Sequence, residues 1–235
     1  MRPPSPLPPP LRGRGFSTRE ASDAGVSRSR TRASDLSAPY RGVRIPRGHT
    51  GLDEVCQALA TRLTSNQYFS HSTAAALHGL PIPHSESGVI HLTTLQGRSP
   101  RIRGVVGHRS TDAHIVTRAG LRMSAPSAAW CELAELATLD ELIIAGDALL
   151  RRQNPLADRP ALLEAISRWG RRRGAVALAE AVQWVRPGTD SPQETRIRLV
   201  LLRAGLPEPQ VNAVIADADG RFVALGDLVY LNSRS

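Results

Sequence analysis

Ser191-Pro192-Gln193-Glu194-Thr195, leading through Gly205-Leu206-Pro207 to Gly226-Asp227-Leu228-Val229-Tyr230, is the stretch whose reading decides the fold. Ser191 as N-cap, Pro192 at the first helical position and the run Ile197, Leu199, Val200, Leu201, Leu202 predict a helix that stops at Gly205. Residues 210–216 and 222–230 predict two strands, joined by the turn Asp217-Ala218-Asp219-Gly220. One acid, Glu194, sits at the helix start, and another, Asp227, lies near the end of the second strand. Asp227 shares strand parity with Val223, Leu225 and Val229, while the other parity carries Phe222, Ala224 and Leu228. A strand apolar on both faces reads as a central one. A carboxylate there is costly unless a cation, a donor or a metal meets it. Metal-assisted phosphodiester cleavage needs such convergent carboxylates to hold Mg²⁺ and activate water. Glu194 and Asp227 are therefore the candidate catalytic and metal-binding residues, with Mg²⁺ as the implied ion. Ser191-x-x-Glu194 is also a capping box, which by itself accounts for Glu194. The sequence stops at Ser235, before a third strand could bring further ligands, so an incomplete domain over 188–235 that does not cut DNA as given is expected.

Upstream of this stretch, Pro187-Gly188-Thr189-Asp190 punctuates the chain and marks the main expected boundary. The whole sequence has 235 residues, enough for one large domain or two smaller ones. Aromatic residues are only 4%, so the core must rest on Leu, Val, Ile and Ala. All 30 basic residues are arginine. Residues 1–50 hold ten of them against Glu20, Asp23 and Asp35, a net of +7, whereas the rest hold twenty against eighteen acids, only +2. A basic arm ahead of a near-neutral body is the electrostatic outline of a nucleic-acid contact region; a solvated basic tail would have the same outline.

Cys56 and Cys131 are far apart with no Cys-x-x-Cys, which predicts buried, reduced thiols of a cytoplasmic protein. His71, His78, His84 and His91 recur in one region without a His-Glu-x-x-His pattern, and are expected as ordinary strand and helix-end histidines. The N-terminus lacks the apolar run of a signal peptide, and no segment reaches the roughly 18 apolar residues of a membrane span.

Residues 1–15, rich in proline, are expected to be a disordered or extended tail. Ser17 with Glu20 makes a capping box, and Phe16 is placed as a staple toward Ala21, so a short helix should run to about Ala24. Gly25 ends it, a second helix is expected over 28–38, and Pro39 stops that one. Residues 40–45 alternate like a strand. Helix, turn, helix and strand over 16–50 outline a winged helix-turn-helix. Ser27, Arg28, Ser29, Arg30 and Arg32 would then line the second helix, with Arg41 and Arg44 flanking the wing, as suits phosphate and base-edge contacts.

A mixed α/β middle region is expected over 51–187. It has helices over 52–63, 72–77, 127–137, 139–151, Arg159–Trp169 and 175–185, and strands at 68–70, 89–93, 101–109 and 121–124. Helices and strands in this arrangement imply an α+β fold class.

Ser191-Pro-Gln-Glu194-Thr-Arg-Ile-Arg-Leu, Ala204-Gly205-Leu206-Pro207, Asn212, Gly220 and Asp227-Leu228 together resemble the start of the Vsr-like domain of many actinobacterial proteins. That domain is similar to very-short-patch-repair endonucleases of the PD-(D/E)xK, restriction-endonuclease-like group. The resemblance implies that Glu194 matches the helix acid and Asp227 the metal-binding acid of the core strand. The family's next strand, of the type Val-Glu-Tyr-Asp-Gly, is not present.

Upstream, Ser72-Thr-Ala-Ala-Ala-Leu-His78-Gly79, His108-Arg109-Ser110 and Ser124-Ala-Pro126-Ser-Ala-Ala-Trp130 also resemble these proteins. Phe16-Ser-Thr-Arg-Glu-Ala and Ala24-Gly25-Val26-Ser27 are similar to the winged-helix module that opens AbiEi-type antitoxins of type IV toxin–antitoxin systems. Thr31 stands where that module usually has an apolar core residue.

Three functions are expected from these readings. One is a DNA-binding regulator of the antitoxin type, acting on double-stranded DNA with a cognate toxin or second subunit as partner. Another is a fragment of a Mg²⁺-dependent endonuclease, and the third a non-catalytic interaction module.

Overall fold

The computed structural model describes residues 4–217 and 219–230. The first three residues of the proline-rich segment, Ala218 of the hairpin turn and the expected stop at Ser235 therefore lie outside the described residues. The fold is α+β. The chain divides into two compact units, one comprising the chain to Leu77 with Gly88–Ala125, the other His78–Ser87 with the chain from Pro126 onward. The boundaries expected after residue 50 and at 187 are not where the units divide, and the packing within each unit explains why.

The first unit opens with β1 (Phe16–Ser17), α1 (Thr18–Asp23), β2 (Leu36–Ser37) and β3 (Val43–Pro46), an antiparallel sheet in the order β1-β3-β2. The start of α1 agrees with the sequence reading. Ser17 Oγ accepts the Glu20 N–H at 3.1 Å, and the Glu20 carboxylate accepts the Ser17 N–H at 2.7 Å.

The helix expected over 28–38 does not form. A single 3₁₀ turn, Arg30–Arg32, is followed by the extended β2. Ser27 Oγ accepts the Arg30 N–H at 3.2 Å and Thr31 Oγ1 donates to the Arg28 carbonyl at 2.9 Å. Such local bonds offer the backbone an alternative to continued helix. Thr31 is buried with its hydroxyl satisfied in this way.

The proline-rich segment is not a free tail over its described part. Leu7 and Leu11 are buried in one cluster with Phe16, Ala21 and Leu36, and Pro9–Leu11 forms a 3₁₀ turn. The two leucines give an otherwise polar and proline-rich stretch something to bury. Next, α2 (Leu52–Ala60) packs on β1 and β3. A Cβ at Gly15 would run into Ala58 of α2. Backbone and helix therefore meet directly, and the N-terminal segment shares its core with α2, across the boundary expected after residue 50.

The rest of this unit is a mixed five-stranded sheet of β4 (Gln67–Phe69), β5 (Ile90–Leu95), β6 (Val105–Ser110), β7 (Ile115–Arg118) and β8 (Leu121–Ser124), in the order β6-β5-β4-β8-β7. The pairs β5–β6 and β4–β8 are parallel, the other two antiparallel. β7 is the strand that sequence reasoning missed. It is tied to β8 through Ala119 and Gly120 at φ 48° and 78°, the signature of a tight hairpin turn. α3 (His71–Leu77) packs on β5 and β8.

The second unit contains α4 (Pro126–Leu133), α5 (Leu139–Leu149), α6 (Arg159–Trp169), α7 (Ala175–Trp184) and α8 (Pro192–Arg203). The antiparallel pair β9 (Gln210–Ala216) and β10 (Phe222–Val229) completes it. Trp130, Leu142, Ile143, Leu162, Leu178 and Val182 are buried in it. Trp130 Nε1 donates to the Leu142 carbonyl at 2.8 Å.

α8 is bound to α5 by an ion pair whose two side chains have no solvent exposure: Arg198 Nη2 lies 2.8 Å from Asp147 Oδ2. Asp147 also accepts from the Thr195 hydroxyl at 2.8 Å and the Arg186 N–H at 2.7 Å. Burial, the largest influence, pushes the Asp147 carboxyl up against the pull of Arg198 and these donors. Arg198 donates further to the Trp184 carbonyl at 2.9 Å and to Glu208 at 3.2 Å. α8 is thus fastened into the helical unit.

Removing one partner of a buried pair leaves the other charge uncompensated. Asp147→Ala should therefore cost about 3–5 kcal/mol in urea unfolding followed by circular dichroism. A loss below about 1 kcal/mol would show that α8 is held by apolar packing instead.

Candidate functional site

The basic segment divides its arginines by what they hold. Arg30 forms a two-pronged pair with Asp35 at 2.9 and 2.7 Å and donates from Nε to the Ser5 carbonyl at 2.5 Å. Arg44 donates to the carbonyls of Thr31 at 2.5 Å and Val43 at 2.8 Å. These two brace the loop between α1 and β3. Arg28, Arg32 and Arg41 are exposed, and among the described residues their side chains make no hydrogen bond or ion pair. Ser27 and Ser29 are exposed and bonded to each other at 2.9 Å. The seven residues expected to contact DNA thus fall in one loop-and-hairpin segment, with two serving as braces and three as uncommitted cations.

The two acids differ in their surroundings. Glu194 is buried, and its Oε2 accepts the Asp190 N–H at 3.0 Å and the Asn212 side-chain amide at 3.1 Å. Asn212, at φ 49°, donates also to the Gly188 carbonyl at 2.6 Å. Only half of the expected capping box is present. Ser191 Oγ accepts the Glu194 N–H at 3.3 Å, while the carboxylate turns to Asp190 and Asn212. Glu194 therefore knits the 188–190 loop, the start of α8 and β9.

Asp227 is exposed on β10, and its neighbours Val223 and Leu225 are exposed as well. Among the described residues β10 pairs with β9 alone, and Asp227 is exposed on it. Mg²⁺ asks for near-octahedral oxygen donors. With the Glu194 oxygen engaged by two donors and Asp227 facing solvent, the residues present do not fit a preformed Mg²⁺ site.

A cluster that the sequence reading did not assemble lies in the first unit. His71 opens α3, His91 lies on β5 and His108 on β6. One ring nitrogen from each falls within 4.8 Å of the others. The rings of His71 and His108 stack at 3.7 Å between centroids, and His91 Nδ1 is 2.9 Å from His108 Nε2. His71 Nδ1 is 3.0 Å from Ser70 Oγ, which accepts the Thr93 hydroxyl at 2.7 Å. Thr73 Oγ1 accepts the His91 N–H at 2.8 Å.

His71 has φ 52°, a conformation costing a non-glycine residue about 1–2 kcal/mol. Burial, then the neighbouring His108 and His91, push its imidazole down to about 2, so it is neutral at physiological pH. His71 and His91 were visible in the sequence as a recurrence. His108 was not, because its partnership depends on the parallel register of β5 and β6, which places Thr93 opposite His108.

No protein-family model matches the chain, and no curated protein matches it. A solved structure, that of the RV2827C protein from Mycobacterium tuberculosis, is similar over 88% of this chain and 85% of that chain, at 15% identity and a TM-score of 0.47.

The division among the arginines is testable by thermal denaturation. Arg30→Ala and Arg44→Ala should each destabilise by about 1–2 kcal/mol, the scale of a charge-assisted hydrogen bond partly open to water. Arg28→Ala, Arg32→Ala and Arg41→Ala should stay within about 0.5 kcal/mol of the parent. The reverse ranking would mean that bracing and contact have been assigned to the wrong residues.

Proposed function

We propose that this chain is a DNA-binding protein of the antitoxin or transcriptional-regulator type, and that residues 27–44 make the contact. The observation that carries the reading is the set of uncommitted, exposed arginines, Arg28, Arg32 and Arg41, on a segment braced by Arg30 and Arg44. Guanidinium groups suit phosphate oxygens because they present several donors in a fixed plane. The order α1, turn, β2–β3 hairpin supports a winged arrangement in which a single 3₁₀ turn stands where a recognition helix was expected. One turn presents few side chains to a groove, so phosphate contact should outweigh base reading. The proposal includes double-stranded DNA as partner and a cytoplasmic location. Cys56 and Cys131 agree with that location: both are free and buried, and burial pushes each thiol up to about 12. No helix among the described residues is long and apolar enough to cross a membrane.

A second reading, engagement of a toxin or second subunit, has an observation of its own. Val214, Phe222, Val223 and Leu225 of the β9–β10 hairpin are exposed, and exposed apolar patches of this kind mark interaction surfaces. The nuclease-fragment reading has no such support, because Glu194 is engaged in structure.

Mobility shift with duplex DNA at several salt concentrations tests the first reading. The Arg28→Ala, Arg32→Ala, Arg41→Ala triple variant should bind at least tenfold more weakly on every duplex. Its log K against log salt slope should be shallower by up to about 3, close to one per lost phosphate contact. Unchanged affinity and slope would rule out this segment as the contact.

A further inference from the structure

We infer that His71, His91 and His108 form a binding site for one divalent transition-metal ion of the zinc class, with a fourth position left for water or an anion. Three features carry this. The three rings come from three separate elements, α3, β5 and β6, and still bring one nitrogen each within 4.8 Å. His91 Nδ1 and His108 Nε2 already face each other at 2.9 Å across a shared proton. An ion bound between them takes both lone pairs once the proton has moved to the other nitrogen of the ring that carried it, so that both imidazoles ligate in the neutral form. Finally, His71 is oriented from behind. Its Nδ1 meets Ser70 Oγ at 3.0 Å, and that hydroxyl is itself fixed by Thr93. A hydroxyl bond of this kind holds an imidazole ring in a fixed orientation.

The donor set selects the ion. Three imidazoles without a carboxylate suit zinc, cobalt, nickel or copper and disfavour Mg²⁺ and Ca²⁺, which want oxygen. Tetrahedral Zn–N bonds of about 2.0–2.1 Å put ligand nitrogens roughly 3.3 Å apart. The present nitrogens need to close by about 1.5 Å at most from their 4.8 Å limit, within reach of ring rotation about χ1 and χ2. His108 is only partly buried, which gives the ion a way in, whereas His71 and His91 are buried. The site is separate from the basic segment and does not rest on the DNA reading.

The test uses the full chain, free of any affinity tag and stripped with a chelator. It combines zinc titration by calorimetry, ion counting by mass spectrometry after dialysis, and the visible absorption of the cobalt form. The expected result is one ion per chain, with cobalt bands of tetrahedral intensity. His91→Gln and His108→Gln should each weaken zinc at least tenfold, and His84→Gln, outside the cluster, should leave it unchanged. If His91→Gln loses its fold by circular dichroism, His108→Gln on the more accessible ring carries the comparison. Retention of no ion by the parent chain, or equal zinc affinity in the folded His108→Gln variant, would overturn the site.

Discussion

Arginine donating to main-chain carbonyls is the interaction on which both units depend. In the first unit Arg12 holds the Leu7 carbonyl, Arg30 that of Ser5, Arg44 that of Thr31 and Arg47 that of Ser34. These bonds tie together a stretch with strands of two to four residues and one six-residue helix. So little regular structure leaves many carbonyls without ladder partners, and these side chains supply the missing donors. In the second unit Arg198 does the same for Trp184 while neutralising Asp147. A guanidinium has five donors in one plane, so one side chain can satisfy a carbonyl and a carboxylate at once. Lysine has a single nitrogen and would serve these positions less well.

This division of labour gives the functional proposal its selectivity. A net charge of +7 over 1–50 says only that the segment is basic. The bonding pattern separates Arg28, Arg32 and Arg41, which are uncommitted, from Arg30 and Arg44, which are braces. It works in the opposite direction for the acids. Glu194 satisfies the backbone of Asp190 and the amide of Asn212, so its place at the start of α8 is explained by structure. Asp227 faces solvent on β10 and needs no metal to account for it.

What could be read from the sequence was local in origin. The Ser17/Glu20 box involves residues three apart, and α1 begins where that pair predicts. The span Arg159–Trp169 was also found, with Asp158 capping it through the Ala161 N–H. The helix expected over 28–38 failed for a reason of similar range. Ser27 and Thr31 bond to nearby backbone, which the arginine-rich pattern did not reveal. Leu7 and Leu11 were hidden among prolines, and their burial depends on Phe16 and Leu36 closing over them. The two least legible features depend on distant partners. Asp147 and Arg198 are 51 residues apart, and the His91–His108 contact depends on a parallel strand register. Neither leaves a periodic trace in the chain.

The central claim is that DNA meets the 27–44 segment and not the acids of α8 and β10. Hydrogen–deuterium exchange of the full chain, with and without a saturating duplex, tests it directly and needs no substitution. Slowed exchange is expected at the amides of 27–44 in the complex, with 188–217 and 219–230 unchanged. Slowed exchange confined to 188–230, with 27–44 unaffected, would contradict the claim and return the nuclease-like reading to first place.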